Sequence, residues 1–523
     1  MRVKEGRLLR WALLVAPAIV AALVSLWGTA HGPATNEDSY AYICGAQKIL
    51  EKGAFLVCGS DQPQLWFPPF YSFLLAILDA LGLRRMEGAR ALCAICFAAS
   101  TSLTGRLLYT STSSLVPAII GELIFLTLDD VVSAHLYAMS EAPFVVLLLL
   151  FTTWILRALD DDRTRWLILA GLAGAAASLT RYMGASLIGS GAIAIVWYDA
   201  RPISFRLRRG AIFLSAGGVP VAAWMCRNLH VAGSLTFRHR GYYPLDPLQY
   251  SKAAYTVVRW FCPFSFDTCK VLGAPVMVGV LLAFVLVLYW NPGKLAWLMA
   301  LVAVSNLAFI VGSRLFLDPY VVFAGRMLVP ILVCLLIMTL GVAYSILTRP
   351  TVNPRWQAVA VSIAGLMVLA NGLRAREKLN IARHGGYELS QRYFTDSALI
   401  AWLAPLPSNT LIYSDEPEPI YFFSGRIAQL LPMITNPNGN KPRASFAGEV
   451  SLMHDRLDDH TGVIVYFDRA HEYRRDNMAT PVLMPFIYRL SLRLLFHNQD
   501  GAIYEMRAAP PPSSRRDAQA IPR

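Results

Sequence analysis

Charged residues are scarce in this chain of 523: Asp, Glu, Lys and Arg together make up 15% of it, against about 25% in soluble globular proteins. Apolar residues make up 55% and the mean hydropathy is +0.46, which excludes a single water-soluble globule. The eight cysteines show no zinc-like spacing, and no repeat of solenoid period is present. No secretory cleavage pattern follows the first apolar run, which is therefore expected to stay as an uncleaved helix. Acidic residues are short in one part only. Residues 1–376 hold 31 Lys and Arg against 18 Asp and Glu, while residues 377–523 hold 16 of each, so the net charge of +13 lies wholly in the apolar part. Its cations fall in short segments between apolar runs, as they do in cytoplasmic membrane loops. The lipid bilayer is an expected partner and nucleic acid is not.

Apolar runs of roughly 17 to 25 residues can cross a bilayer as helices. They stand near 11–28, 90–109, 114–131, 142–157, 166–180, 184–198, 210–226, 272–290, 295–313, 327–347 and 356–374, eleven in all. A further run, 66–83, decides the sidedness of everything after it. Arg2, Lys4, Arg7 and Arg10 hold the N-terminus inside. With 66–83 lying in the interface plane, the inside loops carry Arg106, Arg157, Arg163, Arg165, Arg201, Arg206, Arg208, Arg209, Lys294, Arg349 and Arg355. With 66–83 spanning, all of these move outside and Arg84 and Arg85 fall inside. The first arrangement fits the charge bias better, and Trp66, Pro68 and Pro69 suit the entry to an interfacial helix. The expected fold is mainly α: a polytopic membrane protein of about eleven transmembrane helices, N-terminus in and C-terminus out, with interfacial helices in the first outer loop and a small C-terminal extracytoplasmic α/β domain.

The expected domains are 1–376 in the membrane, with outer loops 29–89 and 227–271, then 377–507 as the α/β domain and 508–523 as a disordered tail. Within 377–507 a helix is expected near 387–404, and strands at Thr410 to Tyr413, Gly462 to Phe467 and near Ala502 to Met506. Cys44 and Cys58 share the first outer loop and Cys262 and Cys269 the second. An oxidising exterior permits both pairs to bridge, and unlinked small apolar residues are the equal alternative. Cys93 and Cys96 lie inside an apolar run and read as packing residues.

Ionisable groups at helix ends, on the side of the large loops, are the functional candidates of such a protein. Glu37 and Asp38 precede an amphipathic stretch from Tyr40 to Gly53, so Asp38 serves either as a helix cap or as a functional carboxylate. Glu141 opens the fourth span after a loop containing His135, a position that the helix dipole also favours. Arg181, Arg227 and Arg326 each stand at an outer helix boundary, where snorkelling explains one of them more readily than three. Glu122 is the main ionisable residue within a span.

Asp38-Ser-Tyr with Ala46 and Gly53, and then Pro68-Pro-Phe-Tyr71 with the Leu-rich segment ending at Gly82, resembles the first outer loop of GT-C glycosyltransferases. These polytopic enzymes include protein O-mannosyltransferases, the aminoarabinose transferases acting on lipid A, and lipopolysaccharide galacturonosyltransferases. Ser140-Glu-Ala-Pro143, Leu179-Thr-Arg-Tyr-Met-Gly184, Trp224-Met-Cys-Arg-Asn228 with Gly233, Gly325-Arg-Met-Leu-Val-Pro330 and Ile420-Tyr-Phe-Phe-Ser-Gly-Arg426 follow in order. The resemblance implies that Asp38 is the essential outer-loop aspartate, Glu141 the second-loop acidic residue and Arg326 a phosphate contact. Three departures stand out. Glu37-Asp38 inverts the usual Asp-Glu order, leaving open which is the base, Met327 replaces a tyrosine, and Tyr182 replaces a proline.

The implied activity is transfer of a sugar from a polyprenyl-phosphate donor to a cell-envelope acceptor: glycolipid, polysaccharide or protein. Asp38 would act as general base on the acceptor hydroxyl. Glu141 would orient the acceptor or help hold a divalent metal, a cofactor that the sequence neither requires nor excludes; His31 and His135 equally read as interface residues. Arg326, with Arg181 or Arg227, would bind the donor phosphate, and Glu37 and Tyr40 would line the substrate site. Arg426 is a candidate for the acceptor entrance. A bacterial inner membrane, with the C-terminal domain in the periplasm, is the favoured location. The competing readings are a carrier for a lipid-linked sugar and a catalytically silent member of an envelope complex; midplane charges and paired repeats would mark a carrier.

Overall fold

The computed structural model describes residues 2–198, 201–236, 240–245, 247–261, 266–319, 321–434, 443–459, 462–468 and 492–506. The chain divides into two compact units, Met1–Tyr387 and Glu388–Arg523. Cys262, the Cys269 side chain and the tail 508–523 lie outside the described residues, so the second bridge and the expected tail are not addressed by the structure.

The first unit is helical. Its helices are α1 (Arg2–Gly28), α2 (Glu37–Lys52), α3 (Phe70–Ala80), α4 (Met86–Thr112), α5 (Leu115–Thr127), α6 (Asp129–Ala134), α7 (Glu141–Asp160), α8 (Thr164–Thr180), α9 (Ala185–Trp197), α10 (Ile203–Ala232), α11 (Pro247–Phe261), α12 (Phe266–Trp290), α13 (Lys294–Phe316), α14 (Val329–Leu347) and α15 (Pro354–Gly385). Ten of the eleven expected spans each fall on one helix, and 114–131 falls on two. Among the described residues, seven helices are long and apolar enough to cross a membrane, in α4, α7, α10, α12, α13, α14 with the turn before it, and α15; four shorter apolar helices lie at Leu14–Gly28, Phe70–Ala80, Leu115–Thr127 and Tyr182–Trp197. α15 turns Val359, Ile363, Leu366, Leu369 and Leu373 outward, an apolar stripe suited to lipid. α8, rich in Ala and Gly, packs against α7 and α10. A Cβ on Gly171 would strike Ala216 and the Phe213 backbone of α10, the small-residue approach typical of membrane helices.

Several boundaries differ from the expected ones, because a charged residue ends an apolar run without ending a helix. α10 continues through Arg227 to Ala232, and α15 continues through Arg374, Arg376 and Lys378. With 32 residues α15 is about 48 Å long, well beyond a hydrocarbon core of about 30 Å. The division between units therefore falls after Tyr387, not at 376. The run 114–131 is broken at Leu128, where the Asp129-Asp130 pair opens α6. The second loop contains α11, a helix not foreseen.

In the first loop, α3 has 11 residues, about 16 Å of helix and too short to cross the core. α2 begins three residues before Tyr40, at Glu37. Asn36 caps it in a reciprocal box with Ser39, each backbone N–H donating to the other's side chain at 3.1 and 3.2 Å. Gly53 closes it in the left-handed region at φ 63°. Asn36, not Asp38, is the cap.

The second unit carries a five-stranded sheet in the order β2-β1-β3-β5-β4, from β1 (Leu411–Ser414), β2 (Gln429–Leu430), β3 (Gly462–Phe467), β4 (Leu492–Asn498) and β5 (Gly501–Met506). β1 runs parallel to β2 and β3, whereas β5 is antiparallel to β3 and β4. The three expected strands are β1, β3 and β5. The expected helix 387–404 is instead two short pieces, α16 (Arg392–Thr395) and α17 (Ala398–Leu403), separated at Ser397, which caps α17. α18 (Pro417–Ser424) and α19 (Phe446–Asp459) complete the unit. Its core joins Ile412, Val463, Val465, Phe467 and Ile503 of the sheet to Phe394, Leu399 and Leu403.

Cys44 of α2 is bonded to Cys58. Closing a loop of this length contributes about 3 kcal/mol in the chain-entropy account. The double Cys44→Ser/Cys58→Ser variant is expected to show a lower Tm than the oxidised protein. A reductant should lower the wild-type Tm and leave the variant's unchanged, as read by differential scanning fluorimetry in detergent.

Candidate active site

Four ionic side chains meet at helix ends of the first unit. Glu141 is the first residue of α7 and is buried, with 3% of its surface exposed. Arg181, at the end of α8, brings Nη1 to 2.7 Å from Glu141 Oε1. Arg326 brings Nε to 3.8 Å from the same oxygen and Nη2 to 3.4 Å from Asp38 Oδ2 in the first turn of α2. The result is one chain of opposite charges: Asp38, Arg326, Glu141, Arg181. At 2.7 Å the contact between Arg181 and Glu141 is the tightest of these three ion pairs.

Local breaks in the helices present the two arginines. After α8 the backbone is extended at Arg181 and makes a 3-10 turn over Tyr182–Gly184 before α9. A Cβ at Gly184 would run into the backbone of Ala177 and Ser178, so only glycine allows the turn to fold back on α8. Arg326 lies in a second 3-10 turn, Gly325–Leu328, entered through Gly325 at φ 39°. Ser140, beside Glu141, leaves α7 without a side-chain cap. Its hydroxyl instead accepts from Arg181 Nη1 at 3.0 Å and lies 3.2 Å from the Tyr42 hydroxyl.

Met327 and Tyr182, two of the three departures from the family pattern, have partners here. Met327 Sδ lies 2.9 Å from Arg181 Nη2. The Tyr182 hydroxyl donates to the Leu65 carbonyl at 3.3 Å and lies 3.5 Å from Trp224 Nε1. Glu37 is exposed on α2 and Tyr40 is half-buried. The tyrosine that reaches Ser140 is Tyr42, which is buried and packed on Phe67 and Tyr71. Arg227 stands over the Trp224 ring at 4.9 Å and donates to Asn228 at 3.0 Å.

Other singled-out residues are structural. His135 is buried, stacked on Phe97 at 4.7 Å, with Nδ1 2.8 Å from the Val131 carbonyl. Arg426 donates to the carbonyls of Leu403, Leu406 and Pro407, closing the end of α17, so it is not free to face an acceptor. Glu122 is wholly buried in α5 against Gly105 of α4, away from the cluster.

The sequence reading missed a second charged group beside the first. Asp129 pairs with Arg259 of α11 at 3.0 Å and with Lys378 of α15 at 2.9 Å, and Asp130 accepts from Trp260 Nε1 at 2.9 Å. Thr256 of α11 accepts from the Gly325 N–H at 3.4 Å. These contacts tie α6, α11 and α15 to the turn that carries Arg326. The available signal was the acidic pair interrupting an apolar run.

Burial lifts the Asp38 carboxyl above its ordinary pKa of 3.8; Arg326 pulls against that and Glu141 adds to it. Among the described residues no three His, Cys, Asp or Glu side chains come together. Both site carboxylates face guanidinium groups that would repel a cation, so these residues do not form a divalent-metal site.

The comparisons agree with this architecture. A family model described as dolichyl-phosphate-mannose-protein mannosyltransferase matches residues 67–224, a stretch that includes Glu141 and Arg181. No curated protein matches by sequence. Among solved structures, ArnT from Cupriavidus metallidurans in the apo state aligns over 97% of this chain and 100% of its own, with TM-score 0.61 and 13% identity. Its complex with undecaprenyl phosphate aligns over 95% and 99%, with TM-score 0.59 and 12% identity. The oligosaccharyltransferase AglB from Archaeoglobus fulgidus, in complex with an inhibitory peptide and a dolichol-phosphate, aligns over 88% and 70%, with TM-score 0.53 and 11% identity. The chain has the fold of the GT-C superfamily of membrane glycosyltransferases.

Glu141→Gln would leave Arg181 and Arg326 without their shared counter-charge. Breaking a buried pair from one side costs about 3–5 kcal/mol. The variant is expected to melt well below wild type in a thermal scan, and Arg181→Gln/Glu141→Gln, which removes charge from both sides, should recover part of the loss.

Proposed function

We propose that this protein is an integral-membrane glycosyltransferase that moves a sugar from a polyprenyl-phosphate donor to a cell-envelope acceptor at the extracytoplasmic face. The observation that carries the reading is the chain of contacts from Asp38 through Arg326 and Glu141 to Arg181, at helix ends where a lipid-anchored phosphate can arrive. A lipid phosphate is already a competent leaving group and needs cations more than a proton. Arg326, about two-fifths exposed, supplies one, and Arg181 supports it.

In this mechanism Asp38 takes the proton of the acceptor hydroxyl as that oxygen forms its bond to the anomeric carbon. The bond from the anomeric carbon to the phosphate oxygen breaks, and its electron pair stays on the phosphate beside Arg326. Glu141, buried between two cations, holds them in position. Asp38 is the better base of the Glu37-Asp38 pair because it is half-buried with Oδ2 3.4 Å from Arg326. The cationic loops support an N-terminus on the cytoplasmic side, and a bacterial inner membrane with the second unit in the periplasm fits that orientation.

The direct test incubates purified protein with radiolabelled polyprenyl-phosphate sugars and envelope acceptors. Label should move to an acceptor; label that only crosses vesicles would mark a carrier instead. Asp38→Asn should lower transfer by about 10²–10⁴-fold. Because burial raises this carboxyl, ionising it costs stability as pH rises through its folded pKa. The Asn variant should therefore melt no lower than wild type at neutral pH.

The acid limb of the pH–rate profile should follow a base titrating above 3.8. Arg326 opposes the upward shift, so Arg326→Gln should move that limb to higher pH as well as slow the reaction. A limb that stays in place in this variant would remove Asp38 from the role of base.

A further inference from the structure

A sizeable cavity lies at the end of the bundle opposite the carboxylate cluster. α7 begins at Glu141 and ends at Asp160 after 20 residues, about 30 Å of helix and the thickness of a hydrocarbon core. The cavity sits at that far end, enclosed by the last turns of α4, α7 and α14 and the first turn of α13. Its volume is about 700 Å³, within the range of small-ligand sites.

The lining is cationic and rich in hydroxyls. Arg106 and Arg157 reach it from α4 and α7, Lys294 from α13, and Tyr109 and Tyr344 add hydroxyls. Lys294 is paired with Asp160 at 2.5 Å, and Asp160 is the acidic member of the lining. Arg106 and Arg157 have no carboxylate partner among the described residues. Gly293, the residue before α13, offers no side-chain cap, so the first N–H groups of α13 also face this end. Exposed aromatic side chains mark the membrane–water boundary at the same end: Trp197 closes α9, Tyr289 and Trp290 close α12, and Trp356 opens α15.

We propose that this cavity binds the phosphate-bearing head group of one anionic phospholipid from the leaflet opposite the active site. The two unpaired arginines supply the counter-charge for the phosphate, the hydroxyls suit a glycerol head, and the aromatic belt sets the cavity at head-group depth. A free phosphate ester would satisfy the same cations. The position within the belt favours the lipid. Such a lipid would hold together the ends of α7 and α14, the helices whose opposite ends begin at Glu141 and beside Arg326.

The test uses full-length protein in detergent and native mass spectrometry with dioleoylphosphatidylglycerol, dioleoylphosphatidylcholine or glycerol 3-phosphate. Wild type should retain one phosphatidylglycerol in preference to phosphatidylcholine. Arg106→Gln/Arg157→Gln should weaken that retention by roughly 10- to 30-fold. A Cβ at Gly341 in the cavity wall meets nothing within 4 Å, so Gly341→Leu should fill the space, lose the lipid and leave the Tm in phosphatidylcholine unchanged. Equal retention of both lipids, or unchanged retention in both variants, overturns the proposal. Glycerol 3-phosphate binding as tightly as the lipid also overturns it. If the arginines serve only their helix ends, the double variant will lower the Tm equally with and without phosphatidylglycerol, and the lipid site fails.

Discussion

The burial of one carboxylate, Glu141, constrains everything around the cluster. A charge at 3% exposure is tolerable only with cations held against it, and they come from two distant points of the chain. Arg181 ends α8 and Arg326 precedes α14, so three helix ends are pinned about one residue. Arg326 then has a second face, which it turns to Asp38. The cluster is thus part of how the bundle closes at this end, and the same ions that hold the helices are available to a ligand.

Presenting arginines at such a point requires the helices to stop there. α8 stops because Gly184 lets the chain fold back upon it, and α14 is entered through Gly325 in a conformation that disfavours other residues. The turn at Gly325 is further held by Thr256 of α11, and α11 is tied by Arg259 to Asp129, which also takes Lys378. One carboxylate therefore joins three elements behind the arginine. An ion pair at the surface would contribute little, but Asp129 is 8% exposed, and losing it would free a loop that carries a site residue.

The parts that were legible in the sequence follow from period and composition. Ten of the eleven apolar runs each fall on one helix and 114–131 divides into α5 and α6, and strands near 410–413, 462–467 and 502–506 stood out by their β-branched and aromatic residues. Helix ends were less legible, because hydropathy reports the lipid boundary and not the hydrogen-bond ladder; α10 and α15 pass through their arginines for that reason. α11 interrupts its apolar residues with Gln249, Ser251, Lys252, Thr256 and Arg259 and gave no long run to detect. Asp38, Glu141, Arg181 and Arg326 were chosen from helix ends and a family pattern, and the structure brings those four together. Ser140 stood in a motif without a role, and Tyr42, Asp129, Arg259 and Lys378 carried no such mark, since their roles arise only when segments far apart in the chain meet.

The difference between the two carboxylates argues for a division of labour under the proposed function. Glu141 touches Arg181 at 2.7 Å, and a group held so closely in its charged form is a poor proton acceptor. Asp38 lies 3.4 Å from Arg326 and is 38% exposed, so water or a hydroxyl can reach it. Asn36 takes the capping duty of α2, which leaves the Asp38 oxygens uncommitted to the backbone. Partial burial raises the Asp38 carboxyl above its ordinary pKa, and Arg326 opposes that rise. A single arginine therefore does two things at once: it biases the base toward its anion and offers a charge to the departing phosphate. Shortening the Asp38 contact to the length of the Glu141 contact would strengthen the pair and weaken the base, which is the physical reason for the two to be held differently.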